Sequence, residues 1–197
     1  RNFEKYHQEL QRISFKTGTK VLDWEIPKEW NIKDGYIQNI ETGEKHAEFK
    51  KNNLHIVNYS LPINQELDLE ELKERIHSHK TNENLIPYLT SYYNNYWGFC
   101  MTEINKQSLK KGKYKVFIDS ELSKGSLELS HALLPGESKK EILISSYVCH
   151  PSMANNEISG QVVSLFLSKF ISKKKRVYSY RFLFIPETIG AISYISK

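Results

Sequence analysis

The last third of the chain carries a strand, helix, strand, helix pattern, and this pattern restricts the fold more than any other feature. Glu141–Val148 has the pattern of a strand and Val177–Ile185 that of an apolar strand, and helical spacing runs through Ile158–Ile171 and again from Thr188 onward. Two strands joined by a helix at this length pair in parallel, with a right-handed crossover. The sequence therefore predicts an α/β fold whose sheet contains a parallel pair of strands.

Further elements are predicted before this unit. Lys113–Ser120 and Ser126–Leu134 have the composition and spacing of strands. Near the start, Lys20–Ile26 alternates apolar and polar residues as a half-buried strand does, and Asn2–Arg12 has helix-like spacing. We therefore expect a mixed sheet that is entered by an N-terminal helix and strand.

The middle of the chain has a different pattern. From Trp30 to Tyr59 short strands are separated by Asp34-Gly35 and Thr42-Gly43, which are turn signals at hairpin spacing. Two helices are predicted after them, Asp68–Ser78 with a capping box at its start, and Glu103–Lys111. We expect a small β-rich subdomain at residues 30–112, inserted into an α/β domain made of residues 1–29 and 113–197.

An aromatic stretch, Tyr88–Phe99, lies within the expected insert. Aromatic rings in such a cluster can form a platform on which sugars stack. They can equally be packed under a loop-rich subdomain, which is the commoner use of aromatic side chains. The sequence favours packing but leaves both interpretations open.

Composition and charge restrict the compartment and the partners. The net charge is +5, but the densest basic run, Lys173–Arg176, lies between a helix and a strand, where a solvated turn explains it better than a nucleic-acid site. The two cysteines, Cys100 and Cys149, are too few for a disulfide framework and fit a reducing cytoplasm. No apolar run approaches the roughly 20 residues that span a bilayer, and the start has no signal-peptide pattern. We expect a cytoplasmic protein without nucleic-acid or membrane partners.

Polar side chains follow both predicted parallel strands at the point where each strand ends. His150, Asn156 and Glu157 come after the first strand, and Glu187 follows the second. Loops beyond the carboxyl ends of such strands carry the reactive groups of open α/β sheets. An imidazole beside a carboxylate suits a divalent metal, and a second carboxylate can act as general base. This interpretation requires the His150 and Glu187 side chains to lie within about 10 Å of each other.

Other candidate sites are less well supported. Cys149 precedes His150 directly, and because consecutive residues of a strand point to opposite sides, we expect no close contact between them and no thiol nucleophile. His77 and His79 do not share a helix face, so solvated histidines at a helix end explain them. Ser159 lacks the nucleophile-elbow pattern of serine hydrolases and is expected to cap or pack the following helix.

The segments around His150 and Glu187 resemble the di-zinc aminopeptidase and carboxypeptidase superfamily, the zinc-dependent exopeptidases. More narrowly, the chain is similar to a bacterial family of aminopeptidase-like proteins with an inserted domain of unknown function, from about Thr17 to Ser196. The segments that carry the resemblance are "GTKVLDWEIPKEWNI", "NNLHIVNYSLPI", "IPYLTSYYNNYWGFC", "YKVFIDSELSKGSLE", "CHPSMANNEISG" and "YRFLFIPETIG".

The resemblance implies a role for each matching position. His150 matches the first metal ligand, and Glu187 matches the general base. Asn156 stands where the superfamily has an aspartate that bridges two metals, and a neutral amide cannot supply that charge. Glu157 is the substitute if the loop shifts by one residue. Thr188 replaces a second glutamate ligand, and its hydroxyl is a poor ligand for zinc.

The resemblance also implies a longer protein, because the remaining aspartate and histidine ligands of the superfamily come from a later portion. We therefore expect this chain to be the N-terminal part of such a protein. The implied activity is that of a zinc metallopeptidase-like hydrolase, holding one or two ions and acting on a peptide or an amide-containing small substrate. The alternative is a degenerate, non-catalytic domain that binds a glycan or peptide through the aromatic residues of the insert.

Overall fold

The computed structural model describes residues 10–92, 94–150 and 153–197, and these form an outer unit within Arg1–Lys28 and Lys124–Lys197 and an inserted unit, Glu29–Ser123. Among the described residues, no helix is long and apolar enough to cross a membrane. In chain order the elements are β1 (Gln11–Lys16), β2 (Lys20–Val21), β3 (Trp24–Glu25), β4 (Glu29–Asn39), β5 (Lys45–His46), β6 (Ile63–Asp68), α1 (Leu69–Lys73), β7 (Ile76–His77), β8 (Phe99–Cys100), α2 (Glu103–Gln107), β9 (Lys113–Ser123), β10 (Ser126–Leu134), β11 (Glu141–Tyr147), α3 (Ser159–Ser172), β12 (Ser179–Ile185) and α4 (Ile189–Ile195).

The outer unit is built on a mixed sheet of four strands in the order β1, β10, β12, β11. Strands β11 and β12 pair in parallel, with Glu141 opposite Ser179 and Tyr147 opposite Ile185, and α3 connects them. The other two pairings, β1 with β10 and β10 with β12, are antiparallel. The parallel pair and the mixed α/β class that the sequence predicts are therefore present.

Strand β12 is the centre of the outer unit because both of its faces are buried. Leu183 and Ile185 pack on one face with Ile13 and Leu129, and α4 covers this cluster through Ala191 and Tyr194. The alternate residues Phe182 and Phe184 pack with Leu134 on the other face. A strand buried on both faces needs an apolar residue at nearly every position, which explains the uninterrupted apolar residues from Phe182 to Ile185.

The helix and the strand predicted near the start of the chain differ from the structure where its residues are described. Most of the helix expected at Asn2–Arg12 falls on residues that are not described, but Gln11 and Arg12 belong to strand β1. The single strand expected at Lys20–Ile26 is instead a tight hairpin, in which β2 and β3 pair antiparallel. The alternation of the sequence is retained in the hairpin, but the chain reverses direction between Val21 and Trp24.

The inserted unit has its own antiparallel sheet, in the order β5, β4, β9, β6. Strand β9 pairs with β4 on one side and with β6 on the other, so Lys113–Ser123 belongs to this unit. The expected boundary at residue 112 assigned this strand to the outer domain. The difference arises because an alternating strand looks the same from sequence whichever sheet it joins.

The first turn expected in the insert is absent, and the second is present. Strand β4 continues through Asp34 and Gly35, with an irregular register between Ile32 and Asp34. A Cβ on Gly35 would lie 2.8 Å from the Ile56 side chain, so this glycine allows close packing within a strand. The turn at Thr42 does form and connects β4 to β5.

The helices of the insert are shorter than expected. Helix α1 ends at Lys73, and its N-cap Asp68 makes no side-chain capping bond, so the expected capping box is absent. Ile76 lies in β7, which pairs in parallel with β8. The predicted apolar face is nevertheless buried, with Leu69, Leu72 and Ile76 all in the core of the unit. Helix α2 stops at Gln107 rather than Lys111.

The aromatic stretch of the insert divides into a buried part and an exposed part. Phe99 is buried in the core, and Trp97 packs against it. Tyr92 is 60% exposed, at a left-handed backbone position with φ +46°. The Tyr59 ring lies between Tyr92 and Trp30, with centroid separations of 6.4 and 5.9 Å. Packing therefore explains the end of the stretch, whereas Tyr92 extends a row of rings to the surface.

Candidate functional site

The candidate site lies where β11 and β12 end side by side. The amide of Val148 donates to the Ile185 carbonyl at 2.8 Å, which continues the parallel pairing one residue beyond β11. The segments that begin at Cys149 and Pro186 therefore leave the same edge of the sheet. In open α/β sheets this edge is the usual place for ligand-binding loops.

The His150 imidazole contacts a buried carboxylate. Glu157 lies in a π-helical turn, Ala154–Ile158, which runs directly into α3. Its Oε1 lies 2.6 Å from His150 Nδ1, and its Oε2 accepts the backbone amide of Cys149 at 2.9 Å. The Glu157 side chain is only 4% exposed and that of His150 is 21% exposed. Single π-helical turns of this kind occur often at functional sites.

The Glu157 carboxyl is held in its ionised form. Burial opposes ionisation, but hydrogen bonds from the Cys149 amide and from His150 outweigh it, so the pKa of this carboxyl lies below its ordinary value. The buried Glu157 is therefore a preformed anionic oxygen donor beside an imidazole.

Cys149 joins this pair, which the sequence did not lead us to expect. Its Sγ lies 3.2 Å from His150 Nδ1 and 3.5 Å from Glu157 Oε1. The prediction of no close contact was wrong, because β11 ends at Tyr147 and the alternation of a strand does not extend to residues 149 and 150. Burial raises the pKa of the Cys149 thiol to about 11, so it is protonated at neutral pH and is no thiol nucleophile.

Glu187 approaches the same imidazole from the second strand. Its Oε2 lies 3.8 Å from His150 Nε2, well within the separation that a shared site requires, and its side chain is 55% exposed. The turn that carries it is tight, because Thr188 has φ +57° and a Cβ on Gly190 would lie 2.7 Å from the Pro186 ring. The Glu187 amide also donates to Cys149 Sγ at 3.4 Å.

The two positions that depart from the superfamily pattern lie beside this cluster. Asn156 is exposed, and its Oδ1 accepts the hydroxyl of Tyr147 at 3.0 Å. Thr188 occupies the position before the first residue of α4 and makes no side-chain capping bond there. The structure thus brings Glu157, rather than Asn156, into contact with His150.

A cleft of about 340 Å³ opens beside the cluster, with His150 and Glu157 in its wall. Apolar side chains from Val148, Met153 and Ile158 form much of the remaining lining. Clefts that combine an apolar lining with a few polar groups are typical of small-molecule sites.

Three histidines of the insert, His55, His77 and His79, have local partners. His77 lies in β7 rather than at a helix end, and its Nε2 is 2.7 Å from the Tyr96 hydroxyl. His55 Nδ1 lies 2.7 Å from the Cys100 carbonyl oxygen. His79 Nδ1 accepts the amide of Asn82 at 3.1 Å. Hydrogen bonds within the insert therefore account for these three side chains.

The donor chemistry of the cluster fits a transition-metal ion. Cys149, His150 and Glu157 offer sulfur, nitrogen and oxygen, and their donor atoms all lie within 4.8 Å of one another. The same residues fit two bridged ions poorly, because the expected bridging position, Asn156, holds a neutral amide. Among the described residues the cluster therefore suits one ion better than two.

Comparisons with known sequences agree with the resemblance. The sequence model of the DUF4910 family, described as a domain of unknown function, matches residues 3–197. A protein of Clostridium acetobutylicum, named as a candidate polysaccharide biosynthesis protein with an aminopeptidase-like domain, is 48% identical over 191 residues. The match covers 97% of this chain and 44% of that protein, so the chain spans less than half the length of this relative.

Solved structures show the same relationship. The crystal structure of a candidate peptidase from Clostridium acetobutylicum has a TM-score of 0.90 at 48% identity, covering 98% of this chain and 45% of that one. A zinc aminopeptidase from Bacillus subtilis has a TM-score of 0.66 at 9% identity, covering 98% and 57%. An aminopeptidase from Aneurinibacillus has a TM-score of 0.52 at 15% identity, also covering 98% and 57%. The chain therefore belongs to the DUF4910 family and has the α/β fold of the zinc aminopeptidases.

Proposed function

We propose that the full-length protein is a zinc-dependent, aminopeptidase-like hydrolase of peptide or amide bonds, to which this chain contributes one side of the active site. One observation carries the proposal: an imidazole and two carboxylates, from His150, Glu157 and Glu187, meet at the carboxyl end of two parallel strands. The aminopeptidase-type fold supports the reaction class.

The proposed roles follow from burial and charge. His150 and Glu157 would hold zinc, because His150 offers a ring nitrogen and Glu157 an ionised carboxylate oxygen. The Glu157 side chain is buried and the His150 side chain is mostly buried. Asn156 remains a further candidate ligand from the same turn, through a neutral amide oxygen. Bound zinc supplies Lewis-acid chemistry, since it polarises a carbonyl group and lowers the pKa of water.

Glu187 is the proposed general base. Its carboxylate is half-exposed, so it reaches solvent and can take a proton from water. Its backbone is held in the tight turn before α4, which keeps the side chain close to His150. A base must lie within hydrogen-bond reach of the reacting proton, directly or through one water, and the 3.8 Å distance of Glu187 Oε2 from His150 Nε2 supports this role.

The proposed substrate is a peptide or an amide-containing small molecule. The name of the Clostridium relative connects it with polysaccharide biosynthesis, which supports including amides of sugar conjugates among the candidates. Both cysteines are free, in keeping with the proposed reducing, cytoplasmic setting.

The test compares the full-length protein with its His150→Ala variant. Zinc content is measured after purification without added metal, and hydrolysis is measured on a panel of aminoacyl and sugar-linked amides. We expect zinc in the wild type, and we expect hydrolysis to fall at least about 100-fold in the variant, because it loses a metal ligand. Less than about 0.1 zinc per chain, with no effect of His150→Ala on any hydrolysis, contradicts the proposal and leaves the ligand-binding alternative.

A further inference from the structure

Three different donor atoms, from the segment that follows β11 and from the π-helical turn, lie close together. Cys149 Sγ, His150 Nδ1 and Glu157 Oε1 are separated by 3.2 Å (S to N), 3.5 Å (S to O) and 2.6 Å (N to O). Both neighbours approach the same ring nitrogen, Nδ1. The arrangement is a small triangle of donors and is not a simple ion pair.

This triangle is close to one face of a tetrahedral metal site. Zinc bonds of about 2.3 Å to sulfur and about 2.0 Å to nitrogen and oxygen place adjacent donors roughly 3.3 to 3.6 Å apart. The separation of Cys149 Sγ from Glu157 Oε1 already matches. The His150 to Glu157 separation has to widen by less than about 1 Å, which small side-chain rotations can provide.

We propose that Cys149, His150 and Glu157 bind a single transition-metal ion through sulfur, Nδ1 and a carboxylate oxygen. The site rests on the proposed function for two of its ligands, His150 and Glu157, and adds Cys149 as a third, but ion binding here does not require hydrolysis. Formation of the metal–sulfur bond displaces the thiol proton to solvent, so the thiolate and the Glu157 carboxylate together balance the charge of a dication. His150 binds as a neutral imidazole, and the proton that Nδ1 shares with Glu157 in this structure is exchanged through solvent for one on Nε2, 3.8 Å from Glu187 Oε2. The site therefore needs no carboxylate at position 156.

Two features give this site its specificity. A thiolate ligand favours soft or borderline ions such as zinc, cobalt and cadmium over magnesium and manganese. The Cys149 backbone amide donates to the second carboxylate oxygen of Glu157, and this hydrogen bond fixes the orientation of the Glu157 carboxylate. All three ligand residues lie in the wall of the cleft that Met153 and Ile158 also line.

Cobalt substitution tests the proposal. The metal-free full-length protein is titrated with Co²⁺ in the presence of a phosphine reductant, because thiol-containing buffers would themselves bind the ion. A thiolate ligand produces a near-ultraviolet sulfur-to-cobalt charge-transfer band, and a four-coordinate ion produces intense visible bands. We expect both bands at one ion per chain in the wild type, and only weak competition by Mg²⁺.

Matched variants identify the ligands. Cys149→Ser is expected to remove the charge-transfer band, and Glu157→Gln to weaken Co²⁺ binding by more than about 100-fold, because even outer partners cost 10- to 100-fold. Cys100→Ala, at the buried cysteine of the insert, is the control and is expected to retain the band. Circular dichroism verifies that each variant is folded.

The outcomes separate this inference from the proposed function. A Co²⁺-bound wild type without the charge-transfer band, a band that survives Cys149→Ser, or no Co²⁺ binding at all would overturn the sulfur-containing site. An intact band in a protein that hydrolyses no amide would support this site and contradict only the hydrolase. Hydrolysis that is unchanged in Cys149→Ser, with no band in the wild type, would contradict only this site.

Discussion

Glu187→Gln is expected to lower kcat/KM of the full-length protein by about 10²- to 10⁴-fold, the usual contribution of a general base, without loss of zinc. Glutamine has the same shape but does not accept a proton from water. Because the Glu187 side chain is half-exposed, its replacement leaves no buried group unpaired and is expected to cost little stability. Steady-state kinetics on the best amide substrate, with zinc analysis of the same samples, measures both quantities.

A matched control exists at the opposite end of β11. Glu141 is also a half-exposed carboxylate and forms a salt bridge with Arg181, with Oε2 2.7 Å from Nε. Glu141→Gln removes the same charge far from the cleft, so we expect kcat/KM to stay within about threefold of the wild type, with a stability change of no more than about 1 kcal/mol. If Glu187→Gln behaves like Glu141→Gln, Glu187 is not the base.

Gly136→Ala is expected to destabilise the outer unit by about 3 kcal/mol or more. Gly136 lies in the turn between β10 and β11, and a Cβ there would lie 2.3 Å from the Tyr178 carbonyl oxygen. This contact is with backbone, so no side-chain rotation relieves it. The expected loss of folding free energy is therefore at or above the largest values that overpacking of a core usually causes. The Gly136 amide also donates to Ser179 Oγ at 3.0 Å, a bond that connects the turn to the start of β12.

Gly160→Ala provides the opposite control, with urea unfolding as the measurement for both variants. Gly160 lies in the first turn of α3, and the nearest atom to an added Cβ would be Ser146 Oγ at 3.7 Å. Alanine is a better helix former than glycine by up to about 1 kcal/mol, so this variant is expected to be as stable as the wild type or more stable. Equal stability of the two variants would contradict the close packing at Gly136.

The parallel strand pair could be predicted because its signals are local and strong. Glu141–Val148 and Val177–Ile185 are both rich in apolar residues, and a helix of the right length separates them, so few topologies remain. That prediction alone brings His150 and Glu187 to one edge of the sheet. The long-range part of the candidate site therefore follows from the order of the elements.

The close contacts of His150 with Cys149 and Glu157 could not be predicted, because they depend on where strand β11 ends. The side chains of Cys149 and His150 would point to opposite sides only on an extended backbone, whereas β11 ends before them. The π-helical turn adds one residue to the usual helical spacing and thereby orients Glu157 towards the imidazole. No periodic pattern in the sequence indicates either event.

The buried side of α3 also differs from the side that its apolar pattern predicts. Apolar residues occur at helical spacing, which correctly predicts the helix, but Phe166 and Phe170 are exposed. The side that the structure buries carries Ser164 and Ser168, and the Ser164 hydroxyl lies 2.7 Å from that of Ser146 on β11. Small side chains permit a close approach of helix and sheet, so an apolar stripe does not by itself identify the packed face.

Anomalous scattering at the zinc edge, from crystals of the full-length protein grown with zinc, tests the metal site at the rim of the sheet most directly. We expect a peak about 2.0 to 2.4 Å from a ring nitrogen of His150 and from a carboxylate oxygen of Glu157. A zinc peak bound entirely by other residues, with the His150 and Glu157 side chains still joined to each other, would contradict the account.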